Sequence, residues 1–357
     1  MNQQSKIVWE KLSKLNLIEG KEVKSEPESP WYIKLLVSIS GWFGALFLVV
    51  FIGATLGLIL GRNIEDFAFL LLFVGGGLIF FVYTLFKEKQ SDFLEHFLLA
   101  LSIAGQVMVI ASLFFMFDNE LSKGVILFTA IFQAFLMWTI PNYIHRMMSS
   151  FFMTSAFAYY CYSIAEPMLP LLVSTFLVAW LWMNEFNFLE RKKIEAIAYG
   201  QTVALISLKS SLMGTSYFVY SFLNHETIPM FNFWWVEFVS VTTLLYVLWM
   251  VLKESQIKYD TKTNFLLVGA VLLLATLSFE VGGLTLGVML LLVGFAHAHR
   301  LLMGLGIFSS LAFLSHYYYF LGETLMDKAE VLALMGMAFL ALRWVMKMVL
   351  KEEVADV

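Results

Sequence analysis

The sequence predicts an all-α fold, a polytopic transmembrane helical bundle of about twelve crossings with both termini cytoplasmic. Three observations predict it. Sixty per cent of the 357 residues are hydrophobic and only 14% are charged, against roughly 45–50% and about 25% in soluble domains. A soluble chain of this length has no interior able to bury so much apolar surface, whereas its 35 Phe and 10 Trp suit lipid-facing and interfacial packing. Apolar stretches close to the length of a bilayer crossing follow one another along the chain. The loops between them sort by charge, with Lys and Arg on one side. The net charge of −4 adds little, because topology depends on where the positive charges lie and not on their sum.

The first element precedes the bundle. Residues 6–18 place Ile7, Val8, Trp9, Leu12 and Leu15 on one helical face with Lys and Glu opposite, and Gly20 is a stop signal. This reads as an amphipathic helix on the cytoplasmic leaflet, the alternative being docking onto cytoplasmic loops or a partner. Residues 21–30 are charged and Pro-containing and read as a linker, after which Trp31 and Tyr32 mark the inner interface. So polar a start is not a cleaved signal peptide, and the first apolar run is expected to act as an uncleaved signal-anchor. The organisation is therefore a cytoplasmic helix and linker over 1–30, a transmembrane domain over 31–350 and a short tail over 351–357.

A spanning helix needs roughly 20 apolar residues. The runs that meet or approach this are 35–60, 67–86, 97–117, 124–140, 147–165, 169–183, 194–213, 234–252, 265–279, 284–298, 301–321 and 329–350. The ninth and tenth are short, with Glu280, Gly282 and Gly283 between them, so a re-entrant hairpin is the alternative and the count is 10–12. Laid alternately across a membrane, these segments place 19 of the 23 Lys and Arg residues on one side and 4 on the other. The poorer side receives only Arg62, Lys123, Lys209 and Lys328. Basic short loops stay cytoplasmic, which puts both termini inside and the protein in a bacterial inner membrane. No loop is long enough for a soluble domain, and the single Cys161 excludes an intramolecular disulfide.

An ionisable group at mid-bilayer is costly, so charges at depth mark function. Few lie near helix centres, which argues against ion-coupled transport. Gln106 and Gln133 are the clearest polar residues in the middle of their helices; an interhelical hydrogen bond is the commoner use of such an amide, a polar path the alternative. Most other charges lie near the outer helix ends. Lys209, Glu237, Glu280 and Lys328, with His316 and the run Tyr317, Tyr318, Tyr319, form a candidate outward-facing binding cluster. The plain alternative is an interfacial belt of Tyr with snorkelling Lys and Glu. Thr324 and Asp327 have capping-box spacing, which makes Lys328 a first-turn cation opposed to the helix dipole. A nearby acid such as Glu280 or Glu323 would offset it.

No metal or cofactor site is read from the sequence: the six His residues lack ligand spacing. His297 and His299, two apart, point to different faces of a helix, and with Arg300 they read as a headgroup contact. Gly75, Gly76 and Gly77 in the second run read as a close helix contact, with a broken helix lining a site as the alternative.

The stretch from Gly294-Phe295 through Arg300, Gly304-Leu305-Gly306, Tyr317-Tyr318-Tyr319, Thr324-Leu325, Lys328 and Arg343 resembles the close of a bacterial membrane family. Pro30-Trp31-Tyr32 through Gly41-Trp42 resembles the same family's first helix. It is the family catalogued as domain of unknown function number four-four-zero-one. The resemblance implies an inner-membrane protein whose gene neighbours others for membrane proteins, including the GDYXXLXY type, and hence a membrane complex. It implies no reaction, substrate or catalytic residue.

The expected function is a non-enzymatic subunit or scaffold of an envelope membrane complex, in contact with the lipid bilayer and with other membrane proteins. A transporter or flippase for a small amphiphilic or lipid-like solute is the first alternative, although 87–92 lacks the Gly- and Arg-containing signature of the major facilitator group. A membrane-embedded lipid-acting enzyme is the second; it would have to draw on Glu280, Lys209, Glu237 and His316, which lie on separate helices. Nothing in the sequence supports nucleic-acid binding. Oligomeric state is left open.

Overall fold

The structure, a computed structural model, describes residues 30–60, 64–86, 91–117, 122–164, 166, 168–210, 233–254, 261–320 and 325–355. The helix expected at 6–18, the linker before Pro30, and Arg62, Lys87, Lys89, Glu323 and Thr324 lie outside them. The described residues form 12 α-helices and one 3-10 turn, with no strand among them. Each apolar run read from the sequence falls in its own helix. Contacts divide the chain into two compact units, Met1–Asp118 and Asn119–Val357.

The first unit holds α1 (Trp31–Leu60), α2 (Ile64–Leu85) and α3 (Asp92–Met116). α3 packs against both of the others. It begins where Ser91 caps it, its Oγ accepting from the Leu94 N–H at 3.4 Å, and Asp92 and Glu95 place negative charge in the first turn, where the helix dipole favours it. Glycine brings the helices together. A Cβ on Gly75 would stand 2.7 Å from the Gly105 carbonyl oxygen, and one on Gly105 would stand 2.8 Å from that of Gly75. The two backbones therefore meet directly, as small residues allow in apolar surroundings. Gly76 and Gly77 face open space, and α2 runs unbroken through all three glycines. The triplet is a helix contact and not a break.

The second unit holds α4 (Lys123–Thr139), α5 (Tyr143–Ser163), α6 (Leu169–Met183), α7 (Arg191–Ser210), α8 (Phe233–Glu254), α9 (Thr261–Glu280), α10 (Leu284–Ala296), α11 (Arg300–Phe320) and α12 (Leu325–Ala355). The 3-10 turn Glu185–Asn187 joins α6 to α7. The core lies among α6, α7, α8 and α10, where Val178, Trp182, Leu205, Leu244, Val247, Met289 and Leu290 are almost fully inaccessible. α5 packs on α7 at Gly200, where the Met147 carbonyl and Ser150 leave no room for a Cβ, and Ser150 Oγ donates to the Ile197 carbonyl at 3.0 Å. Gly287 against Ser310 and Gly306 against Leu291 bring α10 and α11 equally close.

The ninth and tenth runs fold as two helices joined by a tight turn in which Gly283 takes φ +86°. A side chain at that position would meet the Phe313 ring 2.7 Å away. α10 has only 13 residues, about 20 Å of rise against the roughly 30 Å of a hydrocarbon core.

Among the described residues, five helices are long and apolar enough by length and composition to cross a membrane: Tyr32–Thr55, Phe67–Leu85, Asp92–Met116, Trp235–Glu254 and Arg300–Tyr319. Shorter apolar helices include Lys123–Thr139 and Leu169–Met183. Large side chains cover the outside; Phe73 is 74% exposed and Phe47 and Phe51 are each 69% exposed. Apolar surface on this scale suits hydrocarbon better than water, and these helices suggest a membrane protein. Cys161 is a buried free thiol.

Candidate functional site

Of the residues singled out in the sequence, Lys209 and Glu237 meet most closely. Lys209 ends α7 and Glu237 lies in the first turns of α8; Nζ and Oε1 are 2.8 Å apart, with side chains 3% and 6% exposed. Every contact around the pair closes it further. Lys209 Nζ also donates to Ser240 Oγ at 3.0 Å. Glu237 accepts from Ser278 Oγ at 2.9 Å and from the Gly283 N–H at 3.1 Å. Ser278 Oγ in turn accepts from the Thr285 N–H at 3.2 Å. The carboxylate thus faces the N-terminus of α10, where it satisfies a backbone donor that the helix cannot and complements the dipole. One salt bridge links the ends of four helices.

The tyrosines sit on consecutive positions of α11 and so point around the helix. Tyr317 is buried with Val281, Leu284 and Met335, against the turn whose Gly283 N–H binds Glu237. Tyr318 and Tyr319 face outward with rings edge to face at 5.1 Å. His316 is half-buried. Lys328 is buried and donates to the Tyr318 carbonyl at 2.9 Å, which ties the start of α12 to the end of α11. Glu280 ends α9, but its side chain, like that of Asp327, lies outside the described residues. The sequence-predicted cluster thus resolves into two local contacts, with Tyr317 packed against the α9–α10 turn. Gln106 is buried in α3, its Nε2 donating to Ser102 Oγ at 3.4 Å, and Gln133 is buried in α4 of the other unit.

A second polar cluster lies about 27 Å away along α7, from Lys209 back to Arg191, at 1.5 Å per residue. Its centre is Glu185, fully buried in the 3-10 turn. Glu185 Oε1 accepts from Arg191 Nε at 2.7 Å, and Oε2 lies 2.6 Å from His299 Nε2. Trp182 packs edge-on to His299 and to Tyr199, with centroids at 5.1 and 4.8 Å, and its Nε1 donates to Thr202 Oγ1 at 2.9 Å.

The α10–α11 turn aims both histidines inward. His297 caps α10, Ala298 takes a left-handed φ of 56°, and the His299 N–H returns to the Gly294 carbonyl at 2.8 Å. That reversal is the Schellman pattern, usually built with Gly at the left-handed position. It sends His299 to Glu185 and His297 against Phe186, with ring centroids at 5.2 Å. The headgroup contact expected from a continuous helix is replaced by contact with acids of the bundle.

Sequence reasoning missed this cluster. The one signal was an acid, Glu185, close before the basic run 191–193; the left-handed Ala298 that turns both His rings inward has no sequence signature. Among the described residues no three His, Cys, Asp or Glu side chains are placed to hold a metal ion, so the His–acid contacts are pairs and not a ligand set.

A family model described as Domain of unknown function (DUF4401) matches residues 30–349. No curated protein and no solved structure matches the chain.

Proposed function

We propose that this chain, which belongs to the DUF4401 family, is a non-enzymatic subunit of a bacterial envelope complex, built into the inner membrane by about twelve helices with both termini cytoplasmic. The helix order and the bias of 19 cations against 4 support that topology. The observation that carries the role is the saturation of Lys209 and Glu237. A general acid, base or nucleophile needs a group that reaches a substrate. Here both charges are bound to each other and to Ser240, Ser278 and the Gly283 N–H, at under a tenth of full exposure. They work as a staple between helices. At the same end of α11 and α12, Tyr319, Leu325 and Met326 stand 76%, 70% and 78% exposed, an aromatic and apolar surface suited to a membrane partner.

The test is purification of the tagged protein from its native membrane in mild detergent, with mass spectrometry of what accompanies it. A stoichiometric protein partner that is lost from Tyr318→Ala/Tyr319→Ala, at unchanged membrane insertion, supports the reading. Unchanged co-purification of that variant counts against it. Copies that carry a lipid or small solute and no protein favour the transporter alternative instead.

A further inference from the structure

His297 is the one described histidine with both ring nitrogens buried and without a hydrogen-bond partner, its side chain 4% exposed. Buried polar atoms are otherwise paired as a rule, so such a group calls for a physical account. The nearest acid is Glu254 at the end of α8, whose Oε2 lies 3.9 Å from Nε2, beyond hydrogen-bond reach. Glu254 is half exposed. The other charged groups around the ring are Glu185 in the 3-10 turn, Arg191 at the start of α7 and His299 two residues on. Glu185 is already engaged by Arg191 and His299. The neutral ring therefore sits against Phe186 with little to hold it but apolar contact.

We propose that His297 is a proton-operated release for the α10–α11 turn: neutral, the ring stays packed against Phe186; protonated, it leaves that contact and the turn loosens from the C-terminal end of α8. An imidazolium brings two N–H donors and a charge into a pocket that offers one carboxylate at its rim. Outside the pocket, water satisfies both donors. A pocket that offers the imidazolium no hydrogen-bond partner disfavours its charge, so the proton is bound more tightly in the open state. The turn is then fully stable above the ordinary imidazole range, about 6.5, and loses stability as pH falls through it. Under the topology proposed above, the device faces the cytoplasm; its operation does not depend on that topology or on a partner.

The test is backbone hydrogen exchange over residues 294–303 of the full-length protein in lipid nanodiscs, at pH 7.5 and 5.5, normalised for the intrinsic pH dependence of exchange. Wild type is expected to lose protection on acidification by up to about tenfold, the limit set by an ordinary imidazole pKa near 6.5. His297→Phe, which keeps ring volume and cannot titrate, is expected to hold its protection at both pH values. Glu254→Gln removes the carboxylate that eases the imidazolium, and its loss is expected to exceed that of wild type. Equal wild-type protection at the two pH values overturns the proposal. So does a wild-type-sized loss in His297→Phe, which assigns the effect to His299 and Glu185. If His297→Phe does not fold, a Glu254→Gln response equal to wild type overturns it as well.

Discussion

Replacing Glu237 by Gln preserves the shape of the side chain and removes its charge. Lys209, 3% exposed, is then left without a carboxylate. Three donors that now converge on two charged oxygens must share one amide oxygen: Lys209 Nζ at 2.8 Å, Ser278 Oγ at 2.9 Å and the Gly283 N–H at 3.1 Å. Stranding one member of a buried pair costs about 3–5 kcal/mol, and Lys209→Met strands the other member at a similar cost. The double variant Lys209→Met/Glu237→Gln leaves no buried charge. Its amide can still accept from Gly283, so its expected cost is only about 1–2 kcal/mol. The coupling between the sites should therefore be at least about 4 kcal/mol, well above what non-interacting sites give. Thermal unfolding of the four proteins in one detergent, followed by Trp fluorescence, measures it. Single variants that each cost little, or a double variant that costs the sum of the two, would refute the staple.

Two further variants probe the packing and the turn. Gly75→Ala should cost about 1–3 kcal/mol by pushing α2 off α3, while Gly76→Ala, which faces open space, should gain about 1 kcal/mol from helix propensity; opposite shifts in melting temperature check this, and shifts of the same sign would not fit. Ala298→Gly relieves a left-handed residue and should stabilise by about 0.5–1 kcal/mol; a lower melting temperature would show that the turn does not need that conformation.

Much of the fold was legible because apolar length is a strong signal. All the runs read from the sequence coincide with helices, and where the bounds differ the helix usually starts earlier. α3 begins at Asp92, five residues before its run at Phe97, because Ser91, Asp92 and Glu95 cap and charge a first turn that is polar by necessity. The site was legible only in part. Lys209 and Glu237 could be named from their places near helix ends, yet their partnership with Ser278 and Gly283 depends on which helices are neighbours, and chain order does not encode that. The glycine triplet shows the same limit: one of three identical residues touches α3, and which one follows from the helix crossing and not from composition. The histidines were misread for a different reason. Residues two apart diverge on a helix, but a single left-handed residue between them ends the helix and turns both rings inward.

The two polar clusters have a common cause in α10. It has only 13 residues, and its buried positions run from Leu284 to Gly294, nearly its whole length. In apolar surroundings the unsatisfied N–H and carbonyl groups at helix ends must find partners within the protein. At the N-terminus Glu237 takes the Gly283 N–H and Ser278 the Thr285 N–H; at the C-terminus the Ala298 reversal returns the His297 and His299 N–H groups to the Val293 and Gly294 carbonyls. Once Glu237 is buried to cap one end, a buried cation must answer it, and Lys209 does. Once the reversal closes the other end, His299 is carried to Glu185 and His297 is left against Phe186. The Lys209–Glu237 pair and the histidine cluster thus follow from closing a short helix inside a bundle. That is why the polar chemistry of this unit gathers at helix ends, and why His297, whose two ring nitrogens the closure leaves buried without a hydrogen bond, is the natural place for a proton to act.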